Sequence, residues 1–190
     1  FDSIEIIQKE AYRMSNLLSD MLTLSAKDSG HFQLNKTDIE LDTLLLDVYE
    51  SFEAMMNHKS ITCELDFPED AISLYEGDRD KLYQLFAILI HNAISYTAEG
   101  GHITIAIRQL QSAKTSFLIE VSDNGPGIDD EDKDKIFDRF YRSDSARSTK
   151  GHFGLGLSIA HEIVDAHGGK IEVTDTDVTN KCGARFLIHL

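Results

Sequence analysis

Four short segments of this 190-residue chain hold residue types that could do chemistry. In Asp123-Asn124-Gly125-Pro126-Gly127-Ile128, the two glycines allow a sharp turn and let a flat ligand approach without a Cβ in the way. Asp123 is then a carboxylate beside a pocket, suited to accept a hydrogen bond from an exocyclic amine. Asn-Gly and Pro-Gly are also ordinary turn dipeptides, so this segment alone reads equally as a plain loop. Gly151-His152-Phe153-Gly154-Leu155-Gly156-Leu157 opens a helical pattern. Closely spaced glycines there expose backbone N–H groups and the positive end of the helix dipole, a place for phosphates. The pattern is neither the Walker phosphate loop nor a dinucleotide fingerprint.

In the third segment, Ile136-Phe137-Asp138-Arg139-Phe140-Tyr141-Arg142, the apolar residues read as the inward side of an amphipathic turn. Arg139, Arg142, Arg147 and Lys150 concentrate positive charge between the two glycine motifs, as a lid over a polyphosphate would need. Core packing accounts for the aromatics, and phosphate contact is the reading for Arg142. The fourth segment is a helix over residues 84–97 with Asn92 among apolar neighbours. Asn is a poor helix-interior residue. It either caps the preceding turn or offers its side-chain oxygen to a metal ion held by phosphates.

Elements that could position these segments follow from periodicity. Residues 1–28 contain no Pro or Gly, and Ile4, Ile7, Ala11, Met14, Leu18 and Met21 recur at alternating steps of three and four. That is the seam of a bundle helix, too apolar to stand alone in water. A short strand is expected at 32–34, a helix at 42–57, a half-buried strand at 61–67 and a further strand at 71–75. A helix over 80–96 comes next, then strands at 102–109 and 115–123 forming a hairpin. A short helix at 133–140, a helix at 153–166 and strands at 170–174 and 184–190 complete the chain. The expected fold class is α+β, a two-layer sandwich with one sheet covered on one face by helices.

Bulk properties narrow the function. Asp and Glu number 33 against 18 Lys and Arg, for a net charge of −15. Nucleic acid is therefore not an expected partner. No run reaches the length of a membrane span, so membrane contact by these residues is not expected either. Cys63 and Cys182 lack metal-ligand spacing and read as reduced strand cysteines.

Taken together and in this order, the four segments resemble the N, G1, F and G2 boxes of the histidine-kinase ATPase family, within the GHKL group. Cys182-Gly183-Ala184-Arg185-Phe186 is similar to its last glycine element. The resemblance implies a Bergerat ATP-binding fold at 31–190, and makes 1–30 similar to the second helix of a dimerisation and histidine-phosphotransfer module. ATP and Mg²⁺ would be the cofactors. Carried over residue by residue, Asp123 would bond the adenine amine. Gly125, Gly127 and Ile128 would let the base lie close, and Ile136 would line its pocket. Asn92 would hold Mg²⁺ and Tyr96 would flank the nucleotide. Tyr141 and Arg142 would close over it, and Gly154, Leu155 and Gly156 would receive the phosphates. The γ-phosphoryl group would pass to a histidine and then to a response regulator. The resemblance further implies a cytoplasmic domain whose parent is a membrane-anchored homodimer.

Two positions depart from the family pattern. Ile88 stands where the family has Asn or Glu, and Ser95 where it often has Lys. Ile88 cannot orient water, which argues against a gyrase- or chaperone-like ATPase. Both departures fit the alternative of a degenerate nucleotide-binding scaffold or a phosphatase-biased module. A similar site serves anti-sigma-type serine kinases, but the helix at 1–28 argues for the sensor-kinase arrangement. None of the eight histidines carries the family's acceptor pattern, so the chain is expected to bind ATP without phosphorylating itself in the native manner.

Overall fold

A computed structural model describes residues 33–68, 74–110, 116–142, 154–177, 179 and 182–190. The expected helix at 1–28, and Arg147, Lys150 and His152, lie outside them. The described chain runs β1 (Thr37–Glu40), α1 (Leu41–His58), β2 (Thr62–Asp66), β3 (Leu74–Gly77), α2 (Arg79–Tyr96), β4 (His102–Gln109), β5 (Phe117–Asp123), α3 (Gly156–Ala166), β6 (Lys170–Asp177) and β7 (Cys182–His189). Five strands form a mixed sheet in the order β2-β4-β5-β7-β6, with β2 parallel to β4 and the other pairs antiparallel. The α+β layering expected from sequence is present, with α2 packed between α1 and α3 over the sheet.

Periodicity explains which face is covered. Along α2, Leu82, Leu85, Phe86, Leu89, Ile90, Ala93 and Ile94 are all buried, the alternating steps of three and one that make a continuous apolar stripe. On the sheet the period is two. Ile103, Ile105 and Ile107 of β4, Phe117, Ile119 and Val121 of β5, and Ala184, Phe186 and Ile188 of β7 form the buried layer. Among the described residues, no helix is long and apolar enough to cross a membrane.

Five expectations need correction. Residues 133–140 make a run of turns rather than a helix. Asp132 accepts from both Lys135 and Ile136 N–H, and Asp138 N–H turns back to Lys135, so no regular i→i−4 ladder develops. The first strand is at Thr37–Glu40, and residues 33–34 belong to no strand. It pairs with β3 in a separate two-stranded sheet, so there are two sheets and not one. β3 also sits later than expected, at Leu74–Gly77, with 71–73 outside the described residues. Finally, α3 begins at Gly156, with Leu155 as its N-cap and Gly154 before it.

A buried histidine ties the small sheet to the helices. His167, 8% exposed, accepts the Asp78 N–H at Nε2 (3.0 Å). Its Nδ1–H therefore donates to the Ile163 carbonyl (2.7 Å). Asp78 meanwhile caps α2 by accepting from Lys81 N–H (3.1 Å) and holds Asn35 N–H (2.8 Å). Burial lowers the His167 pKa; Lys36 adds to that, while the Ile163 bond and Asp78 oppose it. Protonation would place a second N–H against the Asp78 N–H. The folded chain thus disfavours the charged ring, and stability present above the ordinary histidine pKa declines as pH falls below about 6.5. We expect the urea midpoint to drop between pH 7.5 and 5.5, and His167→Gln to flatten part of that slope. The same variant should cost about 1–3 kcal/mol at pH 7.5, from imperfectly replaced buried bonds. Urea titrations of both proteins across that range check this.

Candidate functional site

Strand alternation carries Asp123 to the site. It follows Phe117, Ile119 and Val121 at steps of two, so its carboxyl lies on the covered face at the last residue of β5, where it is 5% exposed. Oδ1 accepts the N–H groups of Gly125 (2.8 Å) and Ala184 (3.3 Å). Oδ2 accepts from none of the described residues. Burial pushes the Asp123 pKa above the ordinary carboxylate value, and those two N–H bonds partly pull it back. The result is a desolvated carboxylate with one oxygen fixed and one available.

The loop after β5 is pressed against α2. A Cβ on Gly125 would lie 2.8 Å from the Tyr96 carbonyl oxygen and 2.9 Å from Asp123 Oδ1, which is why no larger residue fits. Asn124, read from sequence as part of a turn, also closes the β4 end. Its Oδ1 accepts the His102 N–H (2.8 Å), and its own N–H donates to the His102 carbonyl (3.1 Å). Gly183, at φ 71°, stacks behind this turn, and its N–H donates to the Gly125 carbonyl (2.8 Å). Gly127 and Ile128 continue the loop, and Ile128 and the buried Ile136 pack on the core.

Ile88, Asn92 and Tyr96 are one helical turn apart and share a face of α2. At one end of that face is Gly125. At the other, a Cβ on Gly156 would lie 3.3 Å from Ile88 Cγ2, so the N-terminus of α3 abuts Ile88. Asn92, half-buried, stands between the two ends, and its side chain bonds to none of the described residues. The cap reading of Asn92 therefore fails, since it sits four residues inside the helix. Leu155, at the N-cap of α3, has no side-chain cap bond, so its side chain meets none of the first N–H groups of that helix.

The third segment meets the start of the α3 region at Gly154. Burial raises the Tyr96 pKa, and the positive charge of Arg142 opposes it. The Tyr141 OH donates to Asp132 Oδ1 (2.6 Å). Phe140, 64% exposed with φ 65°, donates its N–H to the Gly154 carbonyl (2.9 Å), joining the third segment to the second. Asp132 carried no sequence signal beyond belonging to an acidic run, and the Tyr141 bond is tertiary.

Residues 77–190 match the family described as histidine kinase-, DNA gyrase B- and HSP90-like ATPases. This chain belongs to that family. Over 167 residues it is 39% identical to the sensor histidine kinase WalK of Bacillus subtilis, covering 87% of the chain and 27% of that protein. The adaptive-response sensory kinase SasA of Crocosphaera subtropica is 32% identical over 169 residues, covering 89% of the chain and 43% of SasA. The chain thus spans well under half the length of these curated relatives. Among solved structures, the catalytic domain of histidine kinase ThkA superposes with a TM-score of 0.72 at 32% identity, covering 82% of this chain and 95% of that one. ThkA solved in complex with the response regulator TrrA gives a TM-score of 0.75 at 28% identity, covering 98% and 49%.

Gly125, Gly154 and Gly183 occupy positions where this chain has no room for a Cβ. A Cβ on Gly183 would sit 2.3 Å from the Asp123 carbonyl oxygen, at a left-handed φ. Gly183→Ala should therefore destabilise the chain by about 2–4 kcal/mol, from overpacking and backbone strain together. The urea midpoint measures this, and an unchanged midpoint would contradict the close packing of β7 on the Asp123 turn.

Proposed function

We propose that the chain is the ATP-binding catalytic domain of a sensor histidine kinase. The observation that carries the proposal is the Asp123 carboxylate, buried at the end of the groove with Oδ2 free of partners among the described residues. That is the chemistry an adenine amine needs, and it occurs in a member of an ATPase family. Gly125, Gly127, Ile128 and Ile136 give the base its apolar, close-fitting surroundings. Tyr96 and Arg142 flank the nucleotide. The uncapped start of α3 at Gly154, Leu155 and Gly156 receives phosphate oxygens. Tyr141 acts through its bond to Asp132 in the same wall.

Asn92 fits a metal ligand of a particular kind. Its neutral amide is unengaged among the described residues and faces the groove between the base end and the phosphate end. Among the described residues, no group of three or more His, Cys, Asp or Glu gathers to hold an ion. Mg²⁺ would therefore rest mainly on phosphate oxygens and water, with Asn92 as the protein's contribution, as suits an ion that sheds its waters reluctantly. The bound ion supplies charge neutralisation of the polyphosphate. The chain's own residues supply positioning, which phosphoryl transfer mostly requires.

In the reaction proposed, the bond from the γ-phosphorus to the bridging oxygen breaks and a bond to an imidazole nitrogen forms. ADP leaves, and the phosphoryl group moves on to a response regulator. The acceptor histidine lies on a helix of the longer parent, whose second bundle helix is residues 1–30, with the catalytic domain at 31–190. Dimerisation through that bundle and membrane anchoring of the parent, with this domain in the cytoplasm, belong to the same reading. The relatives' sensor-kinase names and the regulator complex of ThkA support it.

The scaffold alternative draws on Ile88 and Ser95. Ile88 packs against Gly156, which makes it part of the joint between α2 and α3 and gives it a structural use without arguing against transfer. Two measurements test the proposal. By titration calorimetry, Asp123→Asn should weaken Mg²⁺-ATP binding by at least about tenfold, since the amide places a donor where the amine donates. Wild-type affinity in that variant would remove Asp123 from the site. With the acceptor helix appended, Ile88→Asn should raise the autophosphorylation rate if the lost polar group limits transfer. An unchanged rate clears Ile88 of that handicap.

A further inference from the structure

Lys59 lies outside every segment that carries the proposed chemistry. It stands at the C-cap of α1, yet its ammonium reaches the far end of α2. Nζ donates to the carbonyls of Ile94 (2.7 Å) and Thr97 (3.2 Å), with that of Ser95 at 3.4 Å. The last turn of α2 contains no basic residue. The negative end of its dipole is therefore met by a cation from another element. The Lys59 carbonyl also accepts the Gly100 N–H (2.9 Å), so one residue holds both the end of α2 and the turn that follows.

From there a short path leads to the carboxylate. Tyr96 stands between the carbonyls that Lys59 holds, and its own carbonyl oxygen faces Gly125, leaving no room for a Cβ there (2.8 Å). The Gly125 N–H holds Asp123 Oδ1 at 2.8 Å. Moving the last turn of α2 would shift Tyr96 and release the loop that orients Asp123.

We propose that Lys59 is a positioning residue for the nucleotide site: by fixing the C-terminal turn of α2 it sets the spacing between Tyr96, the Gly125 turn and Asp123. This rests on the reading of the Asp123 groove as an ATP site. The residue touches no nucleotide, so its effect is on affinity through geometry. The charge matters as well as the length, because three carbonyls of a helix terminus converge on one ammonium. An arginine can serve them and a methionine cannot.

The test compares Mg²⁺-ATP dissociation constants of the whole chain by calorimetry, at a temperature where circular dichroism reports every protein as folded. Lys59→Met should bind about five- to tenfold more weakly, and Lys59→Arg should return to within about twofold of wild type. Val48→Ala, a truncation of a buried side chain of α1, lowers stability without touching the α2 terminus and should keep wild-type affinity. Wild-type affinity in Lys59→Met overturns the proposal, as does an equal loss in Val48→Ala. If Lys59→Met does not fold, Lys59→Gln, which retains one donor, is measured under the same criteria. If the unmutated chain fails to bind Mg²⁺-ATP, the ATP reading itself falls and the role of Lys59 with it.

Discussion

The arrangement depends on one constraint: a carboxylate sits on the core face of a sheet. Strand alternation would place an apolar residue at position 123, and the chain places Asp there instead. A buried carboxylate with unmet acceptors is costly. Two backbone N–H groups, from Gly125 and Ala184, offset part of that cost. They come from a loop and from a strand that is distant in sequence. The glycines that let both approach are therefore consequences of the buried Asp, and so is the close seating of the loop on α2. The other oxygen, which accepts from none of the described residues, is what the proposed site rests on.

The helix α2 serves two faces at once. Its apolar stripe closes the core, while Ile88, Asn92 and Tyr96 share a second, less buried face. A rigid core face thus supports the face proposed to meet the nucleotide. Both ends of the helix are held by bonds that reach beyond it: its N-cap Asp78 with the distant His167 at the start, and Lys59 at the finish. The site is built at a helix–sheet junction whose ends are tied by tertiary bonds rather than by local capping alone.

Much of this was legible in the chain. The three described helices, the central hairpin and the final strands followed from periodicity, because apolar spacing directly reflects burial on one face. Asp123, Asn92 and the glycines stood out because each is a poor choice for an element interior unless something uses it. What failed has physical causes. Residues 133–140 carry helical spacing but are held as turns, with backbone bonds of several spans and Lys133 paired to Asp130 and Asp175. The separate β1–β3 sheet was invisible because strand pairing across some forty residues leaves no local signature. The bond from Tyr141 to Asp132 had no local signature, because Asp132 lies in an acidic run with no pattern of its own.

By itself, the sequence determined which residues were anomalous enough to be functional and which faces had to be buried, since both are properties of spacing and residue type. Tertiary structure alone decided what those residues meet. It assigned one oxygen of Asp123 to the backbone and left the other available. It seated Ile88 against the start of α3, and it brought Lys59 to the end of a helix to which it does not belong. Such meetings depend on how elements pack, and packing joins positions that no local periodicity relates.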